Sequence, residues 1–470
     1  MKTLFINKFL SRETIYREPL GIMSLASSVD KKHEVFVAEP NYDNLRAKIL
    51  DIKPEVIGYS VRTGFHTYYL ELNRTLKKEF KFISVFGGPH ATFFPDMIHN
   101  DGVDCICRGE AEEAFLDLLD TLENKGDVTK VKNFYIKRPE GVYRNGCRPL
   151  VEDLDTLAFP SRSLFHSYPD MRKSKVRSFM SGRGCPFDCS YCFNAALKDI
   201  YKGQKYVRRR SVDNIINEIE SARSHCDFEI AIFEDDTLNL DKKWLRDFSN
   251  KFKRTGLKLI CVGIRPDLTD EETVSLLKDA NCVNVGFGIE SGDEKIRRSI
   301  LGRHMSDEQI INCAGLFKRY KIACITENIL GIPGTDLKDD LKTLELNLAC
   351  KPDYGIAHIM QPYPSTKIFE YAVSQGMYKG NFDNLGSFYG TSSLEMSDRY
   401  ERENLQRLFA LVITFPFLYR YIKALVRLRM RFLYNLLHDL HKAYAGIRRI
   451  PYKRTVKDYL SLFKRYFLVT

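Results

Sequence analysis

The chain has 470 residues, 44% of them apolar and 28% charged. At ~100 to 200 residues per domain this means two or three domains, each with its own core, and excludes a peptide-sized, disulfide-stapled or disordered protein. Lys and Arg outnumber Asp and Glu by 72 to 61, a net charge of +11, and residues 401–470 alone carry 15 basic and 4 acidic side chains, so the whole excess lies there and an anionic partner should meet that end.

Residues 3–9 read as a first strand rather than a leader segment. Further β-branched runs at 33–39, 56–61, 82–88 and 105–110 alternate with amphipathic stretches such as 112–124. Strand and helix in regular alternation predict a doubly wound parallel α/β sheet, whose ligands bind beyond the carboxyl ends of the strands. Three of those ends carry Arg62-Thr63-Gly64-Phe65-His66, Gly87-Gly88-Pro89-His90-Ala91-Thr92 and Arg108-Gly109-Glu110. Glycine there lets the backbone approach a large ligand closely. Residues 126–175, with scattered Pro and Gly, predict a linker with a hairpin.

A second alternating series follows, with strands expected at 177–183, 228–235, 257–264, 283–290, 323–332 and 355–363. Six βα repeats predict a partial TIM-like barrel, with its site at the carboxyl ends of the strands. Beyond residue 402 helices take over. On one expected helix Arg420, Lys423, Arg427 and Arg431 recur at helical steps, with Leu418, Tyr421, Leu425, Leu428, Phe432 and Leu436 on the other side. The longest uncharged apolar run, 408–419, contains Pro416 and is shorter than the ~20 residues that cross a bilayer. A cytoplasmic protein is expected, and in that reducing compartment clustered cysteines read as metal ligands or catalytic groups.

Directly after the first barrel strand stands Ser-Gly-Arg-Gly-Cys185-Pro-Phe-Asp-Cys189-Ser-Tyr191-Cys192-Phe-Asn194. Gly184 and Pro186 keep this segment out of a helix, so three thiols share a loop that can curl around a metal centre. Iron-sulfur cubanes commonly take four Cys ligands, and three would leave one iron open. A zinc site completed by a distant Cys or His is the alternative; its weakness is position, at the mouth of a barrel where catalysis occurs.

A CxxxCxxC motif after a first barrel strand resembles the radical S-adenosylmethionine (SAM) superfamily. The resemblance implies a 4Fe-4S cluster on Cys185, Cys189 and Cys192 whose open iron chelates SAM and whose electron, from a donor such as flavodoxin or ferredoxin, cleaves it to a 5′-deoxyadenosyl radical. It further implies SAM contacts from Tyr191, Glu234, Asp235, Asp236, Arg265, Glu290, Ser291, Gly331 and Pro333, and Gln361-Pro-Tyr363-Pro364 resembles the family's closing segment. Acidic residues at a strand end are often helix caps, which leaves Asp236 and Asp241 with that alternative role.

The N-terminal loops resemble the cobalamin-binding domain fused before such barrels, implying cobalamin contacts from Arg62, Thr63, Gly64, Gly87, Gly88, His90, Thr92, Arg108, Gly109 and Glu110. No His stands in a DxHxxG pattern, which implies cobalt without a protein imidazole, or a domain that has lost cobalamin. The implied organisation is a cobalamin-binding-type Rossmann-like domain at 1–125, a linker at 126–175, a partial barrel at 176–375 and a basic helical region at 376–470. The implied activity is radical methylation of an unactivated carbon, or cyclisation or rearrangement, on a small-molecule or lipid-linked substrate. A zinc-stabilised binding protein is the competing class. The region 402–470 suits a solvated helical cap or a peripheral contact with an anionic membrane surface; nucleic acid ranks last, because no strand pattern follows residue 400.

Overall fold

The computed structural model describes residues 1–8, 17–29, 32–40, 43–386, 388 and 390–449, and of 446–449 the backbone alone. Residue 9 of the first expected strand and the part of the basic region beyond 449 lie outside the described residues.

The first sheet contains β1 (Lys2–Ile6), β2 (Glu34–Ala38), β3 (Val56–Ser60), β4 (Ile83–Gly87) and β5 (Cys105–Cys107), followed by the hairpin β6 (Phe134–Arg138) and β7 (Gly141–Arg144). Their order is β2-β1-β3-β4-β5-β6-β7. The first five strands are parallel, and the hairpin adds two antiparallel strands at the β5 edge, so residues 134–144 belong to the sheet itself. The 2-1-3-4-5 order places its topological switch between β1 and β3, where a crevice opens at the carboxyl ends. β3 is almost wholly buried, as the continuous apolar run of a strand covered on both faces should be.

The second sheet holds six parallel strands, β8 (Val176–Phe179), β11 (Ile230–Phe233), β12 (Lys258–Ile264), β13 (Cys282–Glu290), β14 (Ala323–Leu330) and β15 (Tyr354–Ile359), in that spatial order. The two-residue pair β9 (Gly182–Arg183) and β10 (Arg208–Arg209) brackets the cysteine segment. Phe233, Phe248 and Phe252 pack together, Phe233 edge-on to the other two, between β11 and its following helix without solvent exposure; truncating such a ring costs about 3–5 kcal/mol. Helices are started by side chains as the motifs require: Asp241 accepts from the Trp244 N–H at 3.0 Å, and Ser306 and Gln309 form a reciprocal capping box.

An open six-stranded barrel leaves the β15 edge unpaired, a liability that proteins cover. Here the helix Arg399–Thr414 lies along it, and Gln406 Nε2 donates to the Ala357 carbonyl at 3.2 Å. Arg402, fully buried, clasps Asp340 with Nε at 2.6 Å and Nη2 at 3.0 Å.

The single helix expected through 418–436 is broken. A 3-10 turn spans Pro416–Tyr421, one short turn Ile422–Leu425, and the long helix begins anew at Arg431 and runs to Arg449. The reason is competition for carbonyls: Asn404 Nδ2 takes those of Val426 (2.8 Å) and Leu428 (3.3 Å), and the Tyr434 hydroxyl takes that of Leu425 (2.7 Å). These contacts come from elsewhere in the chain and outbid the local periodicity. Among the described residues no helix is long and apolar enough to cross a membrane.

Candidate active site

The cysteine loop enters through Gly184, whose φ of +88° suits glycine and whose missing Cβ would lie 2.4 Å from the Tyr206 carbonyl oxygen. Cys185, Cys189 and Cys192 are all free thiols. Cys185 Sγ lies 3.5 Å from Thr237 Oγ1, and Asn194 Nδ2 donates to Cys192 Sγ at 3.7 Å. Burial pushes the Cys192 thiol up to about 12, so as a free group it stays protonated, and a metal's positive charge is what would turn it into a thiolate. Arg303, buried beside Cys189, supplies a cation there and has its Nε without a partner.

Four thiolates around one zinc would stand roughly 3.8 Å apart, from a Zn–S bond of about 2.3 Å. Among the described residues only His33, Asp120 and Glu123 bring three ligand atoms within 4.8 Å of one another. That set is already paired, His33 with Asp120 at 2.9 Å and Glu123 with the N-terminal ammonium at 3.1 Å. The three thiols do not all lie within 4.8 Å of one another, a looser set than one ion would gather and one that fits a cubane with several metal corners.

Two cavities flank this loop. The first, about 430 Å³, opens between the first sheet and the barrel and is lined by Tyr59, Gly87, Gly88, Gly109 and Glu110 on one side and by Gly182, Arg183, Gly184, Asn194, Tyr206 and Asp236 on the other. Tyr59 is 1% exposed and its hydroxyl has no partner; burial pushes its ionisation far above the usual range. An orphaned hydroxyl facing a mostly apolar hollow with glycine walls fits a large ligand with a polar handle, as cobalamin is. Tyr59 lies inside a strand pattern, so no local signal could have singled it out.

Other expected cobalamin residues hold the loops to each other. Thr63 Oγ1 pairs with His90 Nδ1 at 3.0 Å, Thr92 Oγ1 accepts from the Gly109 N–H at 3.1 Å, and Arg108 donates to the Thr92 carbonyl at 3.1 Å. His90 stacks on His66 at 4.0 Å; burial and that neighbour push it down to about 3, so it is neutral. Gly64 packs near the carbonyls of Leu385 and Gly386. Glu110 is an ion-pair hub between the domains, with Arg183 at 3.0 Å and with Arg208.

The second cavity, about 520 Å³, is the barrel lumen, lined by Tyr191, Glu290, Glu327, Arg17, Arg62 and the aliphatic side chains of the strands, and by His438 and Lys442 of the final helix. Arg62, expected on the cobalamin side, therefore faces the lumen. The Tyr191 hydroxyl donates to Glu290 Oε1 at 2.9 Å. Glu290 sits at φ +67° on the end of β13, a conformation that costs about 1–3 kcal/mol for a non-glycine residue and clusters at ligand sites. Burial pushes its carboxyl up to about 7, against the pull of Arg303.

The remaining expected SAM contacts divide. Glu234 accepts from Ser178 Oγ at 2.8 Å and from Arg17 at 3.3 Å. Asp235 is consumed by Ser181, whose N–H (3.1 Å) and hydroxyl (2.6 Å) it accepts, and burial raises its carboxyl. Asp236 faces the first cavity, with its carboxyl also raised by burial. Arg265 grips Asp267 with two bonds of 2.9 Å and stacks 3.4 Å from the Phe187 ring, so its fork is engaged within its own loop. Ser291 is buried and accepts the Asp293 N–H at 3.3 Å. Gly331, at φ +76°, donates to the buried Asp340, and Pro333 is buried beyond it.

Residues 179–346 match the radical SAM superfamily and residues 16–119 match the B12 binding domain. The chain thus carries both a radical SAM domain and a B12-binding domain. It is similar to an uncharacterized methyltransferase of Pyrococcus horikoshii, 28% identical over 76% of this chain and 79% of the relative. It is also similar to an anaerobic magnesium-protoporphyrin IX monomethyl ester cyclase of Rubrivivax gelatinosus, 24% identical over 70% of this chain and 60% of the relative. In fold it resembles the cobalamin-dependent S-adenosylmethionine radical enzyme OxsB, with a TM-score of 0.68 at 14% identity, covering 99% of this chain and 75% of that one. This radical SAM protein is thus an enzyme whose cofactors are a 4Fe-4S cluster, SAM and cobalamin. Like radical SAM enzymes generally, it needs an electron donor and a small-molecule substrate.

Proposed function

We propose that this radical SAM enzyme methylates an unactivated carbon of a small or lipid-linked, largely apolar molecule, drawing its electron from a flavodoxin or ferredoxin. The observation that carries the reading is the position of the cysteine loop between two cavities, one walled by glycines of the B12-binding sheet and one by the barrel strands. When bound, the three cofactors together supply a carbon-centred radical and a transferable methyl group.

The chain's own residues have narrower tasks. Cys185, Cys189 and Cys192 hold the cluster, and Arg303 offsets the negative charge that gathers at Cys189. Tyr191 fixes the Glu290 carboxylate by donating to it, leaving the second carboxylate oxygen for a ribose hydroxyl. The aliphatic lining from Ile232, Ile260, Val262 and Ile325 excludes water from the lumen and suits an apolar substrate.

The test is product analysis with anaerobically reconstituted enzyme, SAM and a low-potential reductant. Methylation yields both 5′-deoxyadenosine and S-adenosylhomocysteine; cyclisation, which the likeness to the cyclase keeps in view, yields the first without the second. Neither product from protein that holds its cluster would refute the reading.

A further inference from the structure

Among the described residues, eighteen large apolar side chains are exposed, and ten of them fall between Phe415 and Tyr444. Phe432 is 83% exposed and Phe417 64%. In the helix Arg431–Arg449, Phe432, Leu436, Leu440 and Tyr444 follow at four-residue steps on one face, while Tyr434, His441 and Ala445 are buried on the other. The Pro416–Tyr421 turn lies beside that helix: Thr414 Oγ1 meets His441 Nε2 at 2.9 Å, and Tyr434 reaches the Leu425 carbonyl at 2.7 Å. The exposed rings and leucines therefore form one patch rather than scattered points.

Its charge is predominantly positive: from 415 to 444 six Lys and Arg stand against one acidic residue, Asp439. No Asp or Glu occurs from Asn404 to His438, and Arg420, Lys423, Arg427 and Arg429 are exposed and make no ion pair among the described residues. An apolar stripe flanked by unneutralised cations matches the boundary of an anionic bilayer, where hydrocarbon and phosphate lie within a side chain's length of each other. A second copy of the chain would set like charges against each other, and a nucleic acid would have no use for a leucine stripe.

We infer that residues 415–444 form a docking surface for an anionic lipid bilayer. The inference does not depend on the reaction assigned to the barrel, although the helix that carries the stripe also sends His438 and Lys442 into the lumen.

The test is flotation of the anaerobically purified full chain with vesicles of phosphatidylcholine alone, or of phosphatidylcholine containing phosphatidylglycerol. The chain should float with the anionic vesicles and stay behind with the neutral ones. Replacing Arg420, Lys423, Arg427 and Arg429 with Gln should weaken binding about fivefold for each cation removed. Replacing Phe417 and Phe432 with Ser should weaken it at least tenfold with all cations in place. These side chains are exposed, so both variants should keep the iron content and melting temperature of the parent. Absence of flotation, full binding by the Phe417→Ser, Phe432→Ser variant, a dimer that the same variant dissolves, or retention of RNA in preference to vesicles would each overturn the assignment.

Discussion

The two cavities beside the cysteine loop differ in what they are made of. The first has glycine backbone in its wall at Gly87, Gly88 and Gly109, one orphaned hydroxyl at Tyr59, and charged side chains that are mostly tied to one another, Glu110 with Arg183 and Arg208, and Glu218 with Arg210. The second is shaped by strand side chains and holds charge, with Glu290, Glu327, Arg62 and Lys442 around an aliphatic middle. A glycine wall at φ near +90° tolerates no added atom, whereas the raised Glu290 carboxyl makes the lumen respond to pH. Substitutions should therefore separate them.

The largest effect should strike both at once. Cys189→Ala removes a proposed cluster ligand from the loop they share and should lower 5′-deoxyadenosine formation by at least about a thousandfold, on the order of 4 kcal/mol, while circular dichroism stays unchanged. Next, Arg402→Ala leaves the buried Asp340, which accepts from the Gly331 N–H, without its cation. It should cost about 3–5 kcal/mol of stability, read as a fall in denaturation midpoint, with cobalamin binding per folded molecule retained.

Glu290 tests the charged lumen alone. Its folded value of about 7 lies above the ordinary 4.5, so the fold holds a proton that the unfolded chain releases. The associated stability is present below pH ~4.5 and lost as pH rises through ~7, up to about 3 kcal/mol. Glu290→Gln should flatten that decline in pH-dependent melting of cofactor-free protein and remove any rise in SAM affinity above pH 7. The glycine wall of the first cavity is tested by Gly88→Ala: φ is +90° and the new Cβ would lie 2.8 Å from the Val61 nitrogen. It should cost about 2 kcal/mol or more and lower cobalt uptake, with SAM cleavage maintained. As a control distant from both, Arg246→Ala on the exposed pair with Glu272 should change stability by less than about 0.5 kcal/mol.

Much of this was legible in local pattern. Strands of β-branched residues, the three-cysteine spacing and the order of loop motifs are properties of neighbouring residues, and the structure places strands at each of those runs. What was not legible is contact between distant residues. The hairpin 134–144 joins the first sheet because β5 offers it an edge; the helix at 426–430 breaks because Asn404 takes its carbonyls; Arg62 turns into the lumen while Gly87 and Gly88 face the other cavity. Tyr59 and Arg303, with their unpartnered atoms, belong to the same class.

The most direct measurement is electron paramagnetic resonance of the anaerobically reconstituted, reduced chain with and without SAM, alongside its metal content. The account predicts about four irons per chain and a spectrum that changes when SAM is added, because one iron is open to it. One zinc per chain, or a cluster whose spectrum ignores SAM, would contradict it.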